Sequence, residues 1–179
     1  TFGWTVRALS SFDIRNRNSS LDRRLAGLNF TPAGTQSIFR VDLPAPGTYT
    51  IGLALGDASY ATGYTYAQIV DNTTVLATID DPTGPAATTF DDATGMNHTA
   101  ANWPSQNLTI TKTFASTILY IKIGTAIAYT NQYTELAHMS VSQVQNQTPT
   151  LPPSAPTPPT ISLTAPTSGT PVSGTSVTL

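Results

Sequence analysis

The sequence predicts an all-β chain, an antiparallel β-sandwich of jelly-roll type followed by an extended Pro/Thr-rich C-terminal tail. Three observations predict it. Apolar and polar residues alternate with a period of two through much of the first 147 residues, the mark of half-buried strands. Helical periodicity is missing apart from SSLDRRLAGL (19–28), which has room for one or two turns. Only 10% of residues are Asp, Glu, Lys or Arg, against roughly 25% in an average soluble protein. Thr contributes 32 of the 179 residues, and a β-branched hydroxyl residue suits a pleated, half-buried surface.

The strands follow in order. SIFRVDLP (37–44) sets Phe39, Val41 and Leu43 on one face and Ile38, Arg40 and Asp42 on the other. PAPGTYTIGLALGD (44–57) opens in a Pro-Gly turn and sets Tyr49, Ile51, Leu53 and Leu55 against Thr48, Thr50, Gly52 and Ala54. The two runs together read as a hairpin. YTYAQIVDNTTVLATID (64–80) reads as a second hairpin that turns at Asp71-Asn72. NLTITKTFA (107–115) and STILYIKIGTA (116–126) keep the same period, with Leu119, Ile121 and Ile123 opposing Ile118, Tyr120 and Lys122. ELAHMSVSQV (135–144) is the last strand. Eight or nine short strands at regular intervals make a sandwich, with a barrel closed around a ligand as the alternative. The first and last strands are expected to be neighbours.

The composition changes near residue 148. Thr148 to Thr160 holds six prolines in thirteen residues, which favours extended polyproline II, a semi-rigid spacer. The expected organisation is a jelly-roll module at 1–147, a linker at 148–159, and the first strands of a truncated second domain at 160–179. A chain that opens at Thr1 without Met is read as a fragment or a processed protein.

The stretch SFDIRNRNSSLDRRLAGLNF…FRVDLPAPGTYTIGLALGD (11–57) resembles the N-terminal half of galactose-binding-like and malectin-like β-sandwich modules. The resemblance is carried by the hairpin motif from Val41-Asp42-Leu43-Pro44 through Gly56-Asp57, with an earlier Phe-Asp segment and the terminal strand AHMSVSQV. It implies a jelly-roll carbohydrate-binding module. Such modules occur in glycoside hydrolases and esterases, in adhesins and in phage structural proteins, and often carry a structural Ca²⁺. The tail ISLTAPTSGTPVSGTSVTL resembles the opening strands of bacterial immunoglobulin-like domains.

Several functions are excluded as expectations. A net charge of −2 and a pI near 5.4 disfavour a nucleic-acid-binding surface. No apolar run approaches the roughly 20 residues of a membrane-spanning helix, and without Cys there is no disulfide or thiol chemistry. Two histidines, one Glu and no G-x-S-x-G elbow leave little for catalysis. Gly56-Asp57-Ala58-Ser59 is similar to the Gly-Asp-Ser block of some esterases, but its Ser is displaced by one position. The acids cluster in loops rather than facing each other as a glycosidase pair would. The chain is therefore expected not to be an enzyme.

Binding residues are easier to nominate. The apolar faces of sugar rings stack on exposed aromatic rings, while sugar hydroxyls meet amides, carboxylates and guanidinium groups. Trp103 sits in the amide-rich loop NHTAANWPSQN, Tyr60, Tyr64 and Tyr66 in SYATGYTY, and Tyr129 and Tyr133 in AYTNQYTE. Clustered at one end of the sandwich, these loops would form a shallow ligand site. Arg15 and Arg17, in a cluster with Arg23 and Arg24, offer guanidinium forks for a carboxylate or phosphate, hence for an anionic glycan or an acidic neighbouring subunit. Asp80, Asp81, Asp91 and Asp92 bracket PTGPAATTF and offer hard oxygens for Ca²⁺, or act as turn-forming residues. The function expected is a non-catalytic carbohydrate-binding or adhesion module of a larger extracellular protein, held on a polysaccharide or cell-surface glycan. The alternative is a structural protein of a phage virion (a decoration, fibre or tail component at the virion surface) or of an extracellular filament, packed against neighbouring subunits.

Overall fold

The residues that alternate in the sequence pair across two antiparallel sheets packed face to face. The computed structural model describes residues 1–6, 13–17, 22–124 and 133–145. Twelve strands lie among the described residues: β1 (Phe2–Val6), β2 (Asp13–Asn16), β3 (Gly27–Pro32), β4 (Ser37–Asp42), β5 (Gly47–Leu55) and β6 (Thr65–Asp71), then β7 (Thr74–Asp81), β8 (Thr89–Asp91), β9 (Asn97–Thr99), β10 (Ile110–Phe114), β11 (Ile118–Ile123) and β12 (Tyr133–Gln143). A 3₁₀ turn at Arg23–Leu25 and a one-turn helix, α1 (Trp103–Gln106), complete them. One sheet runs β1-β4-β11-β6-β7 and the other β2-β3-β12-β5-β8-β9, with β10 also paired to β5. The result is an antiparallel sandwich of jelly-roll type, with two sheets rather than one closed barrel. No helix among the described residues is long and apolar enough to cross a membrane.

Period-two alternation sets the core. Tyr49, Ile51, Leu53 and Leu55 of β5 face Ala67 and Ile69 of β6 and Leu119, Ile121 and Ile123 of β11, with Leu136 of β12 and Phe114 of β10 joining them. These side chains are buried between the sheets, where apolar area is removed from water at roughly 25 cal/mol per Å². The next residue on each strand points away from this core. Ala54, between Leu53 and Leu55, therefore belongs to a second, smaller cluster on the outer face of the seven-stranded sheet, with Leu25, Phe90, Ala100 and Trp103.

The structure corrects two expectations of pairing. β4 and β5 do not form a hairpin: β4 pairs β1 and β11, whereas β5 pairs β12, β8 and β10. The Pro-Gly turn between them hands the chain from one sheet to the other. The first and last strands lie in different sheets, because β1 pairs β4 and β12 pairs β3 and β5. The β6–β7 hairpin forms as expected, turning through Asn72 at φ 50°, a left-handed conformation that Asn tolerates.

Backbone contacts divide the chain into Thr1–Gln145 and Asn146–Leu179. The linker expected at 148–159 and the strands expected at 160–179 lie outside the described residues.

Candidate functional site

The outer face of the seven-stranded sheet carries the site. On β3, Leu28 and Phe30 share one face, and register carries that face across its neighbours. Arg15 of β2 sits opposite Leu28, and Glu135 of β12 opposite Phe30. Two residues before Glu135, Tyr133 lies on the same face and pairs with Pro32. Leu136, one residue on, points into the core between the sheets. The ladder beyond β2 continues through the Arg17 N–H to the Ala26 carbonyl at 2.6 Å, which keeps Arg17 on the side of Arg15.

The loop after β5 closes the site from the other side. Gly56 leaves the strand at φ +146°, where an added Cβ would lie 2.5 Å from the Thr89 carbonyl oxygen and 3.2 Å from the Phe90 ring. Its N–H donates to the Glu135 carbonyl at 3.0 Å. The next residue, Asp57, is buried and takes a guanidinium fork from Arg17. Nε lies 3.0 Å from Oδ1 and 2.8 Å from Oδ2, and Nη2 lies 2.5 Å from Oδ2. Asp57 Oδ1 also accepts the Ser59 N–H at 2.7 Å, so this Asp caps the loop. The Tyr60 ring then lies against the Arg17 guanidinium, 4.7 Å from centroid to Cζ.

Together these groups line an open cleft of about 380 Å³, bounded by Arg15, Arg17, Phe30, Tyr60, Ala61, Tyr133 and Glu135. Its two outer rings are accessible: Tyr60 is 61% exposed and Tyr133 44%. Phe30 meets Tyr133 edge-on at 5.5 Å, and the Arg15 guanidinium stands 5.1 Å from the centre of the Phe30 ring. Each ring is thus backed by a cation or another ring, which limits its freedom before any ligand arrives. In the wall, Glu135 is 7% exposed, and its Oε2 is buried with no hydrogen-bond partner. Burial, and then the Asp57 charge, push its carboxyl up to about 8, against the opposing pull of Arg17.

Four of the expected ligand residues therefore meet in one place: Arg15, Arg17, Tyr60 and Tyr133. The others do not. Trp103 is only 1% exposed. Its Nε1–H donates to the Leu53 carbonyl at 3.3 Å, its ring meets His138 edge-on at 5.5 Å, and Arg24 covers it at 5.0 Å. It plugs the outer cluster and offers no stacking face. Burial holds the His138 ring below the ordinary imidazole range, and the Arg24 charge adds to the effect, with Asp22 opposing. Tyr64 is buried, stacks on Tyr66 at 6.4 Å, and donates its hydroxyl to Asp80 at 2.9 Å. Tyr66 belongs to β6 of the opposite sheet, where its hydroxyl accepts from Gln68 at 3.1 Å. Tyr129 lies outside the described residues.

The four aspartates do not converge either. Asp81 accepts from the backbone and hydroxyl of Thr83, and Asp80 from Tyr64. Asp91 takes the Asn97 amide at 2.9 Å. Asp92 is buried and ties its loop together by accepting from the Thr94 N–H and hydroxyl, the Met96 and Leu108 N–H groups and His98. Burial raises the Asp92 carboxyl, but these hydrogen bonds outweigh it and hold the group below the usual range. Among the described residues no three His, Asp or Glu side chains are placed to hold a metal ion. The Asp-x-Thr spacing of 81–83 and 92–94 builds turns.

Sequence reasoning missed Phe30, Asp57 and Glu135 as parts of the site. The signal available for Glu135 was parity, since in a strand starting at Tyr133 it must share a face with that tyrosine.

No family model matches the chain, and no curated protein matches it. Solved structures similar to it include a family 35 carbohydrate-binding module from an environmental isolate, at 17% identity and a TM-score of 0.38, covering 74% of this chain and 88% of that one. A second is Xyl-CBM35 in complex with a glucuronic acid containing disaccharide, at 15% identity and a TM-score of 0.41, covering 80% and 94%. A third is chitosan-binding module 1 from a chitosanase/glucanase of Paenibacillus sp. IK-5, at 18% identity and a TM-score of 0.39, covering 79% and 93%. Likenesses at these identities and scores decide nothing about a ligand of this chain, which has to be argued from the cleft itself.

Proposed function

We propose that the chain is a non-catalytic carbohydrate-binding module whose glycan lies in the cleft between Tyr60 and Tyr133. One observation carries the reading: two exposed tyrosine rings border an open cleft whose walls set Arg15, Arg17 and Glu135 beside the apolar Phe30 and Ala61. A sugar ring has that same division, with C–H groups on its faces and hydroxyls around its edge. The tyrosine rings would take the faces. Guanidinium and carboxyl groups at Arg15, Arg17 and Glu135 would take the hydroxyls. The volume falls within the roughly 300–1,000 Å³ usual for small-ligand sites. In this reading the module extends over 1–147, the Pro/Thr-rich segment 148–159 is a spacer, and 160–179 opens an immunoglobulin-like domain. The whole belongs to an extracellular protein that the module holds on a polysaccharide.

The test is a glycan-array screen of the full chain beside two variants, a Tyr60→Ala/Tyr133→Ala double substitution and Tyr66→Ala on the opposite sheet. The expected result is retention by the parent chain and by Tyr66→Ala, and loss in the double variant. Equal retention by all three would move the site elsewhere. A blank array from a folded chain would overturn the reading in favour of an assembly subunit.

A further inference from the structure

Two acids of the described structure, Asp91 and Glu135, keep a buried carboxyl oxygen without a hydrogen-bond partner, and of the two only Glu135 lines the cleft. It is the single Glu of the chain, and the unmatched oxygen is its Oε2. The groups facing it are Arg15 and Arg17 from the β2 side, Asp57 and Tyr60 from the loop after β5, and Tyr133 from its own strand. Of these, Arg17 is already forked to Asp57, so its charge is largely answered. An ionised Glu135 would place a second carboxylate beside Asp57 with one buried oxygen unmatched, which is costly.

We infer that Glu135 is the specificity-determining residue of the cleft, that it meets an uncharged glycan as a neutral acid, and that binding is therefore coupled to keeping its proton. The inference rests on the reading of the cleft as a glycan site. With Oε2 buried, the contact falls to Oε1, where a neutral carboxyl group can carry its proton and donate to a sugar hydroxyl. A glycan seated over the cleft displaces water from the wall and makes ionisation harder still. An uncharged sugar brings no cation to offset that cost. The ammonium of an amino sugar would, but with Glu135 neutral the cleft already carries two guanidinium groups against the one Asp57 carboxylate, so it selects uncharged sugars over amino sugars. The direction agrees with the titration already described, since burial and then Asp57 push the group up to about 8. Affinity should then fall as pH rises through that value.

The experiment measures affinity of the full chain for neutral gluco-, manno- and galacto-oligosaccharides, and for glucosamine oligomers, at pH 6.5 and pH 9. Thermal melts at both pH values confirm folding. A group titrating near 8 whose ionised form does not bind weakens affinity by about tenfold over that interval. Glu135→Gln cannot ionise, so its affinity, whatever its level at pH 6.5, should not fall between pH 6.5 and pH 9. It retains Tyr60 and Tyr133, so any pH effect from those rings would persist in it. Glu135→Ala should lose about tenfold at pH 6.5, the scale of one hydrogen-bonding group. Equal parent affinity at both pH values overturns the inference alone. So does a Glu135→Gln variant that keeps the parent's slope, a Glu135→Ala variant that binds like the parent, or a preference for glucosamine oligomers. No retention of any glycan by a folded chain overturns the reading of the cleft, and the inference with it.

Discussion

Replacing Trp103 with Ala separates a core residue from a ligand platform. The ring is 1% exposed and packs on Leu25, Ala54, Phe90 and Ala100 from four separate segments. Two of those neighbours are alanines with no side-chain torsion to swing into the gap, so the cavity stays largely open. Truncating a buried aromatic costs about 3–5 kcal/mol. The loss of the Nε1–H bond to the Leu53 carbonyl adds about 1 kcal/mol. A cost of about 4–6 kcal/mol follows, which at a typical slope of about 2 kcal/mol/M displaces the urea midpoint by about 2–3 M. Circular dichroism during urea titration reads it, and Trp103→Phe should recover about half. Glycan affinity measured where both proteins are folded should not change, because the ring takes no part in the cleft. A cost below about 1 kcal/mol, or lost binding with intact stability, would refute the burial of this ring.

The other predictions concern the acids. Glu135 has a folded-state value of about 8 against 4.5 unperturbed, so its contribution to stability is complete below about pH 4.5 and is lost as pH rises toward 8. Glu135→Gln should therefore gain about 3 kcal/mol on the parent between pH 5 and pH 8, read from urea midpoints at the two pH values. Asp57→Asn should cost about 2–3 kcal/mol, since it strands a guanidinium that keeps some exposure to solvent. It should also lower the titration of Glu135, followed by carbon NMR of the carboxyl, because the Asp57 charge is one of the two influences that raise it. Asp92 is held below its ordinary value, so its contribution is present above about pH 4 and lost as acid protonates it. Asp92→Asn should destabilise the chain at pH 7 by about 2–4 kcal/mol, on the scale of a buried, multiply hydrogen-bonded charge, and flatten the acid branch of its stability profile between pH 2 and pH 5.

What was legible in the sequence was local, and what was missed was not. Alternation in 48–55 and 118–123 placed the right residues in the core, because strand parity depends only on neighbours in the chain. It could not say which strands pair. The turn before Gly47 reads alike whether it closes a hairpin or carries the chain to the facing sheet, and here it does the latter. Tyr60 and Tyr133 stand out in the sequence through their loops, but their meeting depends on distant backbone, including a bridge between Gly63 and Tyr133. Trp103 is buried although an amide-rich loop without strand period reads as exposed. Its burial comes from Leu25, Phe90 and the Leu53 carbonyl, none of them near it in sequence. Glu135 went unnoticed because an isolated acid in a strand has no motif, and its importance appears only once Asp57 and Arg17 are beside it.

The most direct measurement is an NMR titration of the isotope-labelled chain with the glycan best retained on the array. The cleft predicts that backbone shifts concentrate at Arg15, Arg17, Phe30, Tyr60, Tyr133 and Glu135, leaving the opposite sheet unmoved. The contrary result would be shifts centred on another groove among the described residues, along Phe2, Trp4, Arg40 and Asp42 at the β1 edge, where Phe2 is 78% exposed.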